Sequence, residues 1–177
     1  MIDKKNIPFY LLVGGLFILL KFGFRFADND SMSFLLLPLN KMVAVLTGSA
    51  SSYSPEVGYF HSSLNIIIDK SCSGYNFMLL SFVILSYLGL RDFEKTKAKI
   101  GVLFSSFLVA WFVSLFVSAS RIIASITIQG KLSHLLPFSQ STIHEGVGVV
   151  MNLTFLVLLY ILIEKLLIYR KYYEKLT

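Results

Sequence analysis

The chain has 177 residues, 55% of them hydrophobic and only 15% charged, with a formal net charge of +6 and a mean hydropathy of +0.72. Soluble globular chains carry about 25% charge, so an ordinary soluble domain is excluded. The apolar residues gather in long uncharged runs, the pattern of transmembrane helices. The basic residues sit in short clusters between those runs, with no basic tract interleaved with exposed aromatics. This disfavours a nucleic-acid partner and points to orientation in a lipid bilayer.

In chain order, Lys4 and Lys5 precede an apolar run over 7–24, broken near its end by Lys21. A signal peptide has a similar outline, but the exit Phe24-Arg25-Phe26-Ala27-Asp28 offers no small-x-small cleavage site, so an uncleaved first span is expected. Lys21 and Arg25 are long enough to snorkel to the headgroups. The stretch 34–47 is apolar but short, roughly 14 residues against the ~20 that a crossing needs. Pro38, Asn40 and Lys41 interrupt it, and an interfacial or re-entrant helix is expected. Residues 48–54 read as a Ser- and Gly-rich loop, and 57–61 with 64–68 as the strands of a short hairpin.

Three further spans are expected over 73–90, 100–119 and 147–168. A basic connector over 91–99 follows the first of them, and a short amphipathic helix at the surface is expected over 122–136. The fold class is thus an all-α integral membrane protein: one multi-pass domain of about four transmembrane helices plus one or two short interfacial helices. The N-terminus, the 91–99 connector and the tail from Lys165 hold ten of the sixteen Lys and Arg residues. The positive-inside rule puts all three in the cytoplasm. Cys72, Arg121 and His144 then fall at outer helix ends, at similar depth.

Cys72 is the only cysteine, so it has no partner for an intramolecular disulfide. It is either a small packed hydrophobe or a reactive group, and its polar Ser71-Cys72-Ser73-Gly74 setting favours the second. A thiolate, a base and a cation at one membrane face make a set suited to acyl transfer. His144 titrates near neutral pH and can relay a proton, while Arg121 stays charged and can stabilise an oxyanion. Arg121 and His144 at helix ends would also serve as plain headgroup anchors. Asn76, one turn beyond Cys72, is placed to donate a hydrogen bond to the same site. His61 and His134 lack metal-ligand spacing, and no metal or cofactor is expected.

Ser71-Cys72-Ser73-Gly74 ahead of an apolar span, Arg121-Ile122 at the end of the next span, and His144 with Gly148 four residues on occur in that order. This triplet resembles the motifs of the exosortase/archaeosortase family, and the short length resembles its small exosortase K type. That family often has Asn three residues before the arginine, where this chain has Ser118. The resemblance implies a membrane-embedded cysteine protease and transpeptidase of the cytoplasmic membrane, with its site on the outer side. Its partner would be an exported protein with a C-terminal sorting signal, made of a short motif, a transmembrane helix and a basic end. Cys72 would be the nucleophile, His144 the acid/base and Arg121 the stabilising cation, with Gly74 and Asn76 in support. The alternative is a non-catalytic membrane scaffold or assembly subunit, in which Cys72 only packs.

Overall fold

A computed structural model describes residues 4–93, 95–132 and 140–174, without the side chains of 4, 129–132, 140–144, 171 and 174. The elements are α1 (Ile7–Phe26), α2 (Ser33–Thr47), β1 (Ser52–Ser54), β2 (Gly58–His61), β3 (Ile66–Ile68), a 3-10 turn (Lys70–Cys72), α3 (Tyr75–Asp92), α4 (Thr96–Leu132) and α5 (Gln140–Glu174). Four stretches among the described residues are long and apolar enough to cross a membrane: Ile7–Phe26, Lys70–Asp92, Thr96–Ile128 and Glu145–Arg170. This is a multi-pass helical membrane protein, as composition and hydropathy require. At 1.5 Å per residue, even the shortest of the four reaches about the 30 Å of a hydrocarbon core.

The described residues form two compact units: Met1–Arg25 with Asn76–Phe112 and Thr154–Thr177, and Phe26–Tyr75 with Val113–Leu153. In the first unit α3 is the core helix, with Phe77, Met78, Leu79, Leu88 and Leu90 almost wholly buried. Leu80 and Tyr87 remain exposed on its uncovered face. α1 buries only Val13 among its apolar side chains and leaves Leu11, Leu12, Ile18, Leu19 and Phe22 open, as a helix bathed in lipid does. Tyr10 of α1 stacks obliquely on Tyr87 of α3 (5.7 Å), and the Asn6 amide donates to the Leu90 carbonyl (3.1 Å). Phe82 and Phe107 meet edge to face at 6.0 Å between α3 and α4.

The second unit holds α2 and the sheet. α2 buries Leu35, Leu36, Leu39, Asn40 and Val43 along one helical stripe and exposes Phe34, Leu37, Val45 and Leu46 on the other. It ends at Gly48, whose φ of +66° is the left-handed cap that favours glycine. At 15 residues it is not among the candidate spans, in line with the short helix expected over 34–47. The three strands are antiparallel in the order β1-β2-β3.

Three expectations change. The hairpin over 57–61 and 64–68 is present in shortened form, but β1 adds a third strand inside the stretch read as loop. Its Tyr53 lies opposite Tyr59 in the register, and the rings pack at 4.7 Å; such a cross-strand aromatic pair stabilises a strand too short to announce itself. Residues 122–132 are not a separate surface helix but the continuation of α4. No Pro or Gly stands between 101 and 130 to break it, and serines are tolerated inside a helix. The connector also shrinks, since Arg91 and Asp92 belong to α3 and α4 starts at Thr96. Residues 133–136 of the expected surface helix, and His134 among them, lie outside the described residues.

Candidate functional site

The site is built on the turn that carries Cys72. Asp69 caps it: its carboxylate accepts from the Ser71 N–H (3.0 Å) and the Ser71 hydroxyl (2.6 Å), while its carbonyl accepts from the Cys72 N–H (2.9 Å). Ser73 then bridges turn and helix. Its hydroxyl donates to the Lys70 carbonyl (2.7 Å) and accepts from the Tyr75 N–H (3.3 Å), satisfying one of the orphan donors that open α3. Both serines flanking the cysteine therefore serve the backbone, and Gly74 at φ +70° turns the chain into α3.

The same turn is tied from the α1–α2 connection. Asn29 accepts from the Lys70 N–H (2.9 Å) and donates to the Pro55 carbonyl (2.9 Å), and the Lys70 ammonium donates to the Ala27 carbonyl (2.7 Å). Asn29 is a residue that motif reading does not find. It stands in a polar run, Ala27-Asp28-Asn29-Asp30-Ser31, that looks like any loop, and its partners lie 26 and 41 residues away.

Cys72 itself is 6% exposed. Its Sγ lies 3.9 Å from the Ile67 carbonyl of β3 and 3.9 Å from the Ser71 hydroxyl. Arg121 of α4 approaches the same turn: Nη2 donates to the Ser71 carbonyl at 3.5 Å, and the guanidinium lies within electrostatic range of the thiol. Its Nε is buried and makes no hydrogen bond among the described residues.

Two glycines create the room for this approach. A Cβ on Gly148 of α5 would sit 3.2 Å from Arg121 Cδ and 3.7 Å from Nη1, so the arginine stem lies directly along α5 there. A Cβ on Gly74 would fall 2.0 Å from the Ser118 hydroxyl and 3.3 Å from the Ser114 carbonyl. Ser118, 2% exposed, thus packs against the glycine backbone. A larger amide in its place would require α4 and the cysteine turn to separate.

The second unit therefore brings together Cys72, Gly74, Ser118, Arg121 and Gly148. His144 lies one helical turn before Gly148 in α5, and its side chain is outside the described residues. Asn76 belongs to the first unit, where its side-chain oxygen accepts from the Lys21 ammonium at 2.6 Å. Among the described residues no group of three or more His, Cys, Asp and Glu is gathered to hold a metal ion. Chemically the arrangement offers a buried thiol and, beside it, a cation with a donor that makes no hydrogen bond among the described residues. Comparison with known protein families, with curated proteins and with solved structures finds no match.

Proposed function

We propose that the protein is a membrane-embedded cysteine protease and transpeptidase that acts on the C-terminal sorting signals of exported proteins, as its resemblance to the exosortase/archaeosortase family implies. The observation that supports this reading best is Arg121, whose side chain passes the bare backbone of Gly148 to reach the turn that bears Cys72. In the proposed reaction the Cys72 thiolate attacks the scissile carbonyl, and Arg121 stabilises the oxyanion of the tetrahedral intermediate. His144 takes the thiol proton and returns it to the departing amine, leaving a thioester. An amine or water then attacks the thioester carbonyl, releasing the product and regenerating the thiol. No cofactor enters these steps.

The charge distribution supports a cytoplasmic-membrane location with both termini inside and the site outside. The substrate's own helix would lie in lipid beside the protein, its basic end inward by the same rule. As the sole cysteine, Cys72 is a ready probe of sidedness. A membrane-impermeant maleimide should label it in intact spheroplasts, slowly because the thiol is buried. Labelling only after the inner face is opened would reverse the orientation and end the outward-facing reading.

The burial of Cys72 also favours the second reading, a scaffold in which the thiol merely packs. Arg121 separates the two. A packing or headgroup-anchoring arginine is replaced well by lysine, which has a similar stem and the same charge. An oxyanion-binding guanidinium is not, because a point charge does not reproduce its fixed planar fork. Arg121→Lys is expected to accumulate normally in membranes and to process substrate at least about tenfold more slowly, a step below the usual 10²–10³ cost of losing one oxyanion donor. Normal abundance with a normal rate would make Arg121 an anchor.

A further inference from the structure

His61, on β2, is fully buried and is not part of the proposed chemistry. Its hydrogen bonds determine where the protons must lie. Thr47 Oγ1 donates to the Val43 carbonyl at 2.7 Å, since a carbonyl has no proton to give. That uses the only Thr47 proton, so the 2.6 Å contact between the Thr47 and Ser49 hydroxyls runs on the Ser49 proton. Ser49 then has none left for its 2.7 Å contact with His61 Nδ1, and the ring must supply it. Nδ1 is therefore protonated.

The other ring nitrogen faces Asn40 of α2, with Nε2 2.8 Å from the side-chain oxygen. An amide oxygen only accepts, so this contact needs a second ring proton and belongs to the imidazolium. With the Asn40 amide turned over, its NH₂ donates to the Nε2 lone pair, and the neutral ring is bonded equally well. No other hydrogen bond among the described residues holds the Asn40 side chain in one orientation. The remaining state, a neutral ring protonated at Nε2, leaves one of the three hydroxyl contacts without a proton.

We propose that His61, Asn40, Ser49 and Thr47 form a buried proton-sensitive latch between β2 and α2, in which gain of a proton at His61 Nε2 is coupled to a half-turn of the Asn40 amide. The latch does not depend on the proposed activity. It acts on the sheet that carries Ile67, whose carbonyl faces the Cys72 sulfur, because β2 pairs directly with β3.

Burial alone holds the His61 pKa below its ordinary value, with no charged neighbour contributing. Among the bonded elements α2 carries only Lys41, which is exposed. β1 and β2 carry Tyr53 and Tyr59, stacked on each other, and Glu56 in the turn between them is held by Ser54. β3 has no titratable group. With the folded-state pKa lowered, the unfolded chain takes up the proton first. Stability is therefore full above about pH 6.5, the ordinary histidine value, and falls as pH drops below it.

The test is ¹⁵N NMR of the full chain, labelled at histidine and asparagine, in lipid nanodiscs, with His61 assigned by loss of its signal in His61→Asn and Asn40 by loss of its signal in Asn40→Asp. The expected result is a neutral Nδ1–H tautomer that ionises below the ordinary histidine range, with the Asn40 side-chain amide resonances shifting over the same pH interval. A neutral Nε2–H tautomer, or Asn40 resonances that stay still while His61 titrates, would overturn the latch. Asn40→Asp gives a second handle, since a carboxylate accepts from Nε2–H in one fixed sense. The variant should ionise His61 at higher pH than wild type, and an unchanged ionisation would also overturn it.

Discussion

Cys72→Ser is expected to abolish the proposed processing while the protein inserts and accumulates as before. The size change is one atom in a side chain whose sulfur lies 3.9 Å from the Ile67 carbonyl and from the Ser71 hydroxyl. A serine side chain is slightly smaller than the thiol and fits the same space. The turn is held by other atoms: the Asp69 carboxylate, the Ser71 and Ser73 hydroxyls, and Asn29. Chemistry suffers far more, because a hydroxyl ionises much less readily than a thiol. Where a covalent intermediate is obligatory, removing the nucleophile costs about 10⁶-fold in rate. The measurement is substrate cleavage together with membrane abundance. Processing at near-normal rate in the serine variant would overturn the proposed activity and leave the scaffold reading in its place.

The membrane architecture was legible because hydropathy acts over whole elements. Residues 7–24 and 73–90 are apolar over membrane length, and the structure places α1 and α3 there with shifts of about one or two residues, the usual fraying of helix ends. Boundaries that depend on single residues were harder. Ser118-Ala119-Ser120-Arg121 looks like the polar end of a span, yet these residues sit well inside α4. The serines face protein: Ser114, Ser118 and Ser125 are all buried. They mark a close-packed face of the helix, not its end.

The candidate site was legible in part, for a related reason. Cys72 and Arg121 stand out by chemical type, and Cys72 also by its place at the start of α3. The residues that hold them do not. Asn29 reaches Lys70 across 41 positions, and Asn40 reaches His61 across 21. No local pattern encodes such pairs; only the tertiary fold does. Pro38, Asn40 and Lys41 interrupt the apolar run over 34–47, and the polar role of Asn40 is inward, to a buried histidine. Asn76 differs again, since its side-chain oxygen is engaged by Lys21 of α1.

Gly74→Ala is expected to destabilise the protein strongly, and the loss should depend on Ser118. Two separate costs add at this position. The first is conformational: at φ +70° an L-residue with a Cβ pays about 1–2 kcal/mol. The second is steric, because the new methyl would lie 2.0 Å from the Ser118 hydroxyl, far inside contact distance. Forcing extra atoms into a packed site costs about 1–3 kcal/mol. The sum, about 2–5 kcal/mol, is a large share of the 5–15 kcal/mol that separates folded from unfolded states. Ser118→Ala removes the offending oxygen but leaves the backbone conformation alone. It should therefore recover most of the steric cost and none of the conformational cost. A double-mutant cycle on the unfolding midpoint in mild detergent measures this coupling. If Gly74→Ala destabilises equally with serine or alanine at 118, the contact between the cysteine turn and α4 is not what makes glycine necessary. The left-handed backbone alone would then account for it. If the coupling appears, the close approach of α4 at Ser118 is part of what makes glycine necessary at 74.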